Sequence, residues 1–190
     1  MPYPTATPVA DRQAPLLRQE LQDRLDSLAH AHRVPGAHLA VDTGTELISV
    51  HTGTADAATG RAYTADTAVP LGSVTKVYTA AAVLLLADDD DLDLDDPVAS
   101  YVPELRELPE VTIRHLLGHT AGLPTGPDSD TAARTTASRY LSGLCTAQDA
   151  LFAPGTGFSY SNPNYVLAGL IVEKVTGRSL ESEVSRRILR

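Results

Sequence analysis

The sequence is short of sulfur and of aromatic residues. Its 190 residues include one cysteine, one methionine, two phenylalanines and no tryptophan. Because Cys145 is the only cysteine, an intramolecular disulfide is excluded. No apolar run approaches the length of a membrane span. Residues 1–15 contain four prolines and no apolar segment, so no secretory signal is visible, and residues 1–14 are expected to form a flexible leader.

Basic residues are also few. There are 15 lysines and arginines against 24 acidic residues, which gives a formal net charge of −9. This balance disfavours nucleic acid and anionic membrane surfaces as partners. The hydrophobic fraction of 43% argues against wholesale disorder, and the length is sufficient for one domain with a real core.

Two kinds of local pattern are clear in the first third of the chain. Leucines spaced three or four residues apart predict an amphipathic helix over about 15–32. Two strand-like runs, Ala37–Asp42 and Glu46–His51, flank the turn signal Thr43-Gly44-Thr45 and predict a β-hairpin. The apolar residues of this hairpin do not alternate cleanly, which indicates cover on more than one side.

Helix cap signals organise the rest of the chain. They predict three further helices: a short one capped by Thr112 and running through Leu117, one capped by Asn162 that starts at Pro163 and stops at Gly177, and one capped by Ser179. Residues 125–139 are rich in Thr, Ser, Ala and Asp and predict a mobile loop that leads into a helix near Tyr140–Leu144.

Two stretches of the sequence are candidate metal sites. The acidic run Asp88–Asp96 lacks the glycine and the final acidic residue of a calcium loop, so a solvated acidic turn is the better interpretation. His115 and His119 have a spacing that two zinc ligands can use, but no clustered third ligand accompanies them. Structural histidines are therefore expected here.

The most informative stretch is Gly72-Ser73-Val74-Thr75-Lys76, which an Ala- and Leu-rich run follows directly. That run predicts a buried helix with Ser73 at its first turn. Residues three apart share a helix face, so the Ser73 hydroxyl and the Lys76 amine can meet. A serine beside a base is a candidate nucleophile. The alternative is a helix-capping serine with a surface lysine.

A second candidate cluster lies just before the helix that Asn162 is expected to cap. Tyr160 stands at the entrance of this helix, where a phenol can face a pocket and relay a proton if a nearby ammonium lowers its pKa. The alternative is that Tyr160 is a packing aromatic and Asn162 only a cap.

Together these motifs resemble a known family. Residues 71–76 resemble the nucleophile motif of serine beta-lactamases and penicillin-binding-protein-like hydrolases. Tyr160-Ser161-Asn162 resembles the Tyr-x-Asn motif of the branch that holds class C beta-lactamases, D-alanyl-D-alanine carboxypeptidases and related esterases. Residues 92–98, 111–124 and 154–162 resemble the same branch. The resemblance implies an α/β (α+β type) beta-lactamase-like fold, an antiparallel sheet plus a helical subdomain, with residues 15–190 as its N-terminal and helical portion.

The resemblance also implies roles. Ser73 is the acyl-forming nucleophile, Lys76 and Tyr160 share the general acid–base work, and Asn162 contacts the substrate or holds Lys76. The implied reaction is attack on an amide, ester or lactam carbonyl of a small molecule or peptide, with an acyl-enzyme that water or another nucleophile resolves. No metal or organic cofactor is implied. The location is cytoplasmic by default, although the family is often extracytoplasmic.

One expected feature does not follow. The family's third motif, a Lys- or His-Thr/Ser-Gly on a sheet strand, is not found after Asn162. In the family this strand supplies one of two oxyanion donors, whose loss typically costs about 2.7–4 kcal/mol of transition-state stabilisation. We therefore expect part of a longer hydrolase, half of a two-chain assembly, or a non-catalytic module that binds acyl or peptide ligands. An exposed sheet edge and uncovered helix faces further predict self-association or a complementary chain.

Overall fold

The computed structural model describes residues 14–103, 110–126 and 150–189. The chain divides into two compact units, Met1–Pro70 and Leu71–Arg190. Three predicted features lie largely or wholly outside the described residues: the N-terminal leader, most of the loop at 125–139, and the helix near Tyr140–Leu144. None of the helices within the described ranges is long and apolar enough to cross a membrane.

The first unit consists of one helix and a small antiparallel sheet. Helix α1 spans Ala14–His32, and the strands are β1 (Gly36–Asp42), β2 (Leu47–Asp56) and β3 (Arg61–Ala62), in the order β1-β2-β3. The predicted helix and hairpin are confirmed. The prediction missed β3 and the C-terminal half of β2, because the glycines in this stretch favour a loop.

Pairing within the hairpin decides which side chains of β2 are buried. Asp42 pairs with Leu47 across the turn, and this register places Ile48 and Val50 in the interior while Leu47 is 65% exposed. Helix α1 packs on β2, and the guanidinium of Arg18 donates a hydrogen bond to the Ser49 carbonyl at 2.8 Å. The described residues therefore cover β2 on one face, which corrects the expectation of cover on more than one side.

The described part of the second unit contains four helices. Helix α2 spans Thr75–Asp88, α3 spans Ile113–Leu117, α4 spans Asn162–Thr176 and α5 spans Leu180–Arg187. Helix α4 packs against each of the other three, and α2 also contacts α5. The core that these helices share is aliphatic; its largest fully buried members are Val83, Leu86, Val98, Val111, Ile113, Leu116, Leu123, Leu167 and Ile171.

Helix α2 is buried along one face only, which corrects the expectation of a buried helix. Thr79, Ala82, Val83 and Leu86 face the core, spaced three or four residues apart as one helix stripe requires. Apolar residues on another side of the helix are solvent-accessible: Val77 is 65% exposed and Leu84 49%. The run is apolar on all sides, but the described residues cover only one of them.

The capping predictions are confirmed in two cases and corrected in one. Thr112 accepts a hydrogen bond from the His115 backbone at the start of α3, and Ser179 accepts one from the Ser182 backbone at the start of α5. The N-cap of α4, however, is Ser161, and Asn162 is the first helical residue. The helix ends as predicted at Gly177, which has the left-handed conformation with φ of +65°.

Ion pairs join the loops and helices of this unit. Within the acidic turn, Asp95 receives two hydrogen bonds from the guanidinium of Arg114, at 2.8 and 2.9 Å. Glu183 of α5 is 1% exposed and is paired with three arginines, Arg178, Arg186 and Arg187. Arg187 also reaches Asp89 at the end of α2. These contacts attach α5 to the C-terminal end of α2.

Candidate active site

Ser73 lies in a single 3-10 turn, Gly72–Val74, that leads directly into α2. Gly72 has φ of +54°, a conformation that glycine adopts without the steric penalty other residues pay, and it starts this turn. The Ser73 hydroxyl is exposed at the N-terminal end of α2, where the helix dipole is positive. The nucleophile candidate is thus presented to solvent on a rigid element.

Lys76 lies on the first turn of α2 and reaches back to Ser73. Its ammonium donates a hydrogen bond to Ser73 Oγ at 3.1 Å. The same Nζ lies 5.0 Å from the ring centroid of Tyr160 and 5.8 Å from that of Tyr165. Both distances are within the range of cation–π attraction, so the two rings help to hold the lysine at the site.

Tyr160 completes a cluster of three polar groups. It comes from the segment before α4, and its hydroxyl lies 2.8 Å from Ser73 Oγ. Hydrogen bonding to Lys76 and then to Ser73 lowers the pKa of the Tyr160 phenol below its ordinary value, because both partners favour the phenolate. Ser73, Lys76 and Tyr160 therefore form one hydrogen-bonded group that can move a proton.

Asn162 lies beside this group without bonding to it. It is exposed at the start of α4 and lines an open groove of about 410 Å³ together with Lys76, Thr75 and Tyr165. Within the described ranges its side chain makes no hydrogen bond, to Lys76 or to any other residue. Lys76 also lines a second open cavity, of about 530 Å³, together with Ser73 and Tyr160.

Sequence reasoning treated one residue of the site only as structural, namely His119. Its ring centroid lies 4.6 Å from that of Tyr160, and its Nδ1 accepts hydrogen bonds from the Ser161 backbone and the Asn164 amide, each at 3.2 Å. Burial and the nearby charge of Lys76 lower the pKa of His119. In the sequence, the only signal for this residue was the stretch His119-Thr120-Ala121-Gly122. Nothing within that stretch points to Tyr160.

The histidines have roles that do not require a metal. His115 Nδ1 accepts a hydrogen bond from the Thr112 backbone in the capping box of α3. His119 Nδ1 accepts hydrogen bonds from Ser161 and Asn164. Among the residues that the structure describes, no group of three His, Cys, Asp or Glu side chains is arranged to hold a metal ion.

Comparison with known proteins places this chain in a family. The model of the beta-lactamase family matches residues 17–190. The chain is 36% identical over 178 residues to penicillin-binding protein 4 of Amycolatopsis lactamdurans, a match that covers 88% of this chain and 45% of that protein. The chain thus spans less than half the length of this curated relative.

Solved structures agree with this assignment. A D-stereospecific amidohydrolase from Streptomyces sp. is 32% identical, with a TM-score of 0.71, covering 95% of this chain and 54% of that one. An octameric penicillin-binding protein homologue from Pyrococcus abyssi is 29% identical, with a TM-score of 0.77, covering 90% and 42%. The expected fold is confirmed as beta-lactamase-like, with mixed helices and an antiparallel sheet. The chain belongs to the beta-lactamase family, which includes penicillin-binding proteins and related serine hydrolases.

Proposed function

We propose that this chain carries the nucleophile half of a serine hydrolase that works through an acyl-enzyme on Ser73. The observation that carries the proposal is the three-membered cluster of Ser73, Lys76 and Tyr160, joined at 3.1 and 2.8 Å. A serine hydroxyl held between an ammonium and a phenol of lowered pKa has both a route for its proton and a partner for the charge that develops.

The reaction follows from this geometry. Tyr160, as phenolate, takes the proton of Ser73 Oγ while the oxygen attacks a carbonyl carbon, and the Lys76 ammonium stabilises the phenolate before the transfer. The Tyr160 hydroxyl then returns the proton to the leaving nitrogen or oxygen, which departs as an amine or alcohol and leaves the acyl group on Ser73. Water, deprotonated by the same phenolate, releases the acid and restores the serine.

Asn162 is proposed as a substrate contact, since its exposed amide lies in the groove next to Lys76. The proposed substrate is an amide or peptide carbonyl next to a D-configured residue. This choice rests on the Streptomyces relative, a D-stereospecific amidohydrolase. Ester and lactam carbonyls require the same acyl-transfer steps and are the comparison substrates.

The catalytic groups are divided, in this proposal, between this chain and what its relatives contain beyond the matched region. The cluster supplies the nucleophile and the proton relay. We propose that a further segment or a second chain supplies the remaining oxyanion donor, and that residues 1–190 by themselves acylate slowly. A shortfall of one donor corresponds to about 10²–10³ in rate.

The first test is covalent labelling. The purified chain is incubated with a fluorophosphonate, and intact mass with peptide mapping locates the adduct. We expect a single adduct on Ser73 and none on Ser73→Ala, whose far-UV spectrum should be unchanged because an exposed hydroxyl in this turn contributes at most about 1 kcal/mol. Matched D- and L-phenylalanine p-nitroanilides then test stereochemistry by single-turnover release of nitroaniline.

The outcomes separate the alternatives. Labelling of Ser73→Ala equal to that of the parent chain would rule out Ser73 as the nucleophile. A chain that takes no adduct yet binds a penicillin in calorimetry would instead support a non-catalytic binding module.

A further inference from the structure

His119 holds an unusual position directly after α3. It has φ of +54°, a left-handed conformation that is uncommon for residues other than glycine and asparagine, and its backbone N–H bonds to the Leu116 carbonyl. The ring is only half-buried and lies among the aromatic rings at the site: the centroids of Tyr160 and Tyr165 are 4.6 and 5.2 Å away.

Two hydrogen bonds that His119 accepts lie on either side of Tyr160. The His119 carbonyl accepts the backbone N–H of Ser159 at 3.0 Å, and His119 Nδ1 accepts the backbone N–H of Ser161 at 3.2 Å. Tyr160 is the single residue between these two anchors. The main chain on both sides of the phenol is therefore tied to one histidine.

The contacts also determine the tautomer of this histidine. A backbone N–H can only donate, so Nδ1 must carry a lone pair, and the proton of the neutral ring is on Nε2. Burial and the Lys76 charge keep the pKa of His119 low, which favours this neutral form; the other titratable groups against the ring are Tyr160 and Tyr165. A protonated ring would place an N–H against the Ser161 N–H.

Asn164 makes a further contact with the same nitrogen of His119. This residue is 1% exposed, its Nδ2 donates to His119 Nδ1, and its Oδ1 has no hydrogen-bond partner among the described residues. Turning the amide over would place Oδ1 against the Nδ1 lone pair, so the amide stays with its oxygen unpaired.

We propose that His119 is a positioning residue for the acylation site, one that acts through Tyr160: as the neutral Nε2–H tautomer it fixes the Ser159–Ser161 backbone so that the phenol meets Ser73 Oγ. Its effect on the reaction rests on the proposed function, but its effect on Tyr160 does not. The proposal assigns His119 no contact with substrate and no proton transfer.

The test compares two substitutions that both tolerate a positive φ. His119→Gly removes the ring and the acceptor, while His119→Asn keeps a side-chain acceptor near the place of Nδ1; neither is strained at this position. The matched control is His115→Asn, which alters a histidine of the same segment whose Nδ1 also accepts a backbone N–H, that of Thr112, but which does not contact Tyr160.

Two quantities are measured on the full 190-residue chain. The first is the pKa of Tyr160, from the ¹³Cζ resonance of labelled tyrosine, assigned with Tyr160→Phe. The second is the rate of Ser73 labelling by a fluorophosphonate. For His119→Gly we expect the Tyr160 pKa to rise toward its ordinary value of 10 and labelling to slow by about tenfold or more, since catalysis is sensitive to misplacement. His119→Asn should restore most of both, and His115→Asn should alter neither.

The measurement of the Tyr160 pKa and the measurement of Ser73 labelling can be interpreted separately. If the parent chain takes no label, the proposed function fails, and the Tyr160 pKa still decides the role of His119. An unchanged Tyr160 pKa in a folded His119→Gly chain would overturn the proposal. Should that variant not fold, ¹⁵N spectra of the parent chain decide: an Nε2–H tautomer at neutral pH supports the proposal, and an Nδ1–H tautomer or an imidazolium refutes it.

Discussion

The hydroxyl oxygens of Ser73 and Tyr160 lie 2.8 Å apart although 87 positions separate the two residues in sequence. The contact depends on the packing of α2 against α4, since Ser73 directly precedes α2 and Tyr160 lies just before α4. Lys76 joins both groups, so the three residues should behave as a unit in any measurement of reactivity.

The first prediction concerns the coupling of Lys76 and Tyr160. We expect Lys76→Ala and Tyr160→Phe each to slow Ser73 labelling by about 10²-fold or more, because each removes part of one proton relay. The double variant should lose much less than the sum of the two free-energy losses. Rates from intact-mass time courses give the coupling energy; additive losses would mean that the two residues act independently.

The second prediction is a pH dependence. The pKa of Tyr160 lies below its ordinary value because Lys76 and Ser73 hydrogen-bond to the phenol. The phenolate of Tyr160 accepts the Ser73 proton, and the fraction of Tyr160 present as phenolate increases with pH. The labelling rate should therefore rise with pH, with a midpoint below 10, and level off above that midpoint. Lys76→Met should move the midpoint upward, because it removes the larger of the two causes that lower the pKa of Tyr160. A midpoint that does not move would assign the base to another group.

The third prediction tests the buried carboxylate of α5. Arg186, then Arg187, lower the pKa of Glu183, so its contribution to folding is present above the unfolded-state pKa and is lost as pH falls through the folded value. Glu183→Gln should lower the free energy of unfolding by about 1–3 kcal/mol, because a neutral amide at this 1%-exposed position loses the charge-assisted hydrogen bonds that Arg186 and Arg187 donate.

Urea unfolding at pH 7 and at pH 4 measures this loss. The parent chain and Glu183→Gln should differ less at the lower pH, where the carboxylate of the unfolded state takes up a proton before that of the folded state does. The control is Glu181→Gln on the exposed side of the same helix, which should change stability by no more than about 0.5 kcal/mol. A loss equal to that of the control would show that the cluster around Glu183 contributes little.

The fourth prediction concerns the uncovered face of α2. Val77 and Leu84 are 65% and 49% exposed on it, so we expect residues 1–190 alone to self-associate or to bind a complementary chain. Leu84→Glu should shift the sedimentation profile toward monomer. Leu16→Glu, the same change at a leucine that is 74% exposed on α1, serves as the control and should leave the profile as it is. A fully active monomeric parent chain would contradict the prediction.

The elements that local patterns predicted are those that local forces decide. Helix α1, the β1–β2 hairpin and the caps at Thr112 and Ser179 each follow from spacing or from a side chain that bonds to its own backbone segment. The prediction of Asn162 as the cap of α4 was wrong, because Ser161 and Asn162 are both good cap residues and tertiary contacts decide between them. The Ser161 hydroxyl donates to the Pro124 carbonyl, and its N–H goes to His119.

The sequence by itself determined the contact between Ser73 and Lys76, because residues three apart at a helix start share a face wherever that helix packs. Only the tertiary structure decided that the Tyr160 phenol meets the same hydroxyl and that His119 holds the backbone on both sides of it. These contacts join segments that are 42 to 87 positions apart, and their geometry depends on how the core side chains of α2, α3 and α4 fit together. No local pattern encodes that fit.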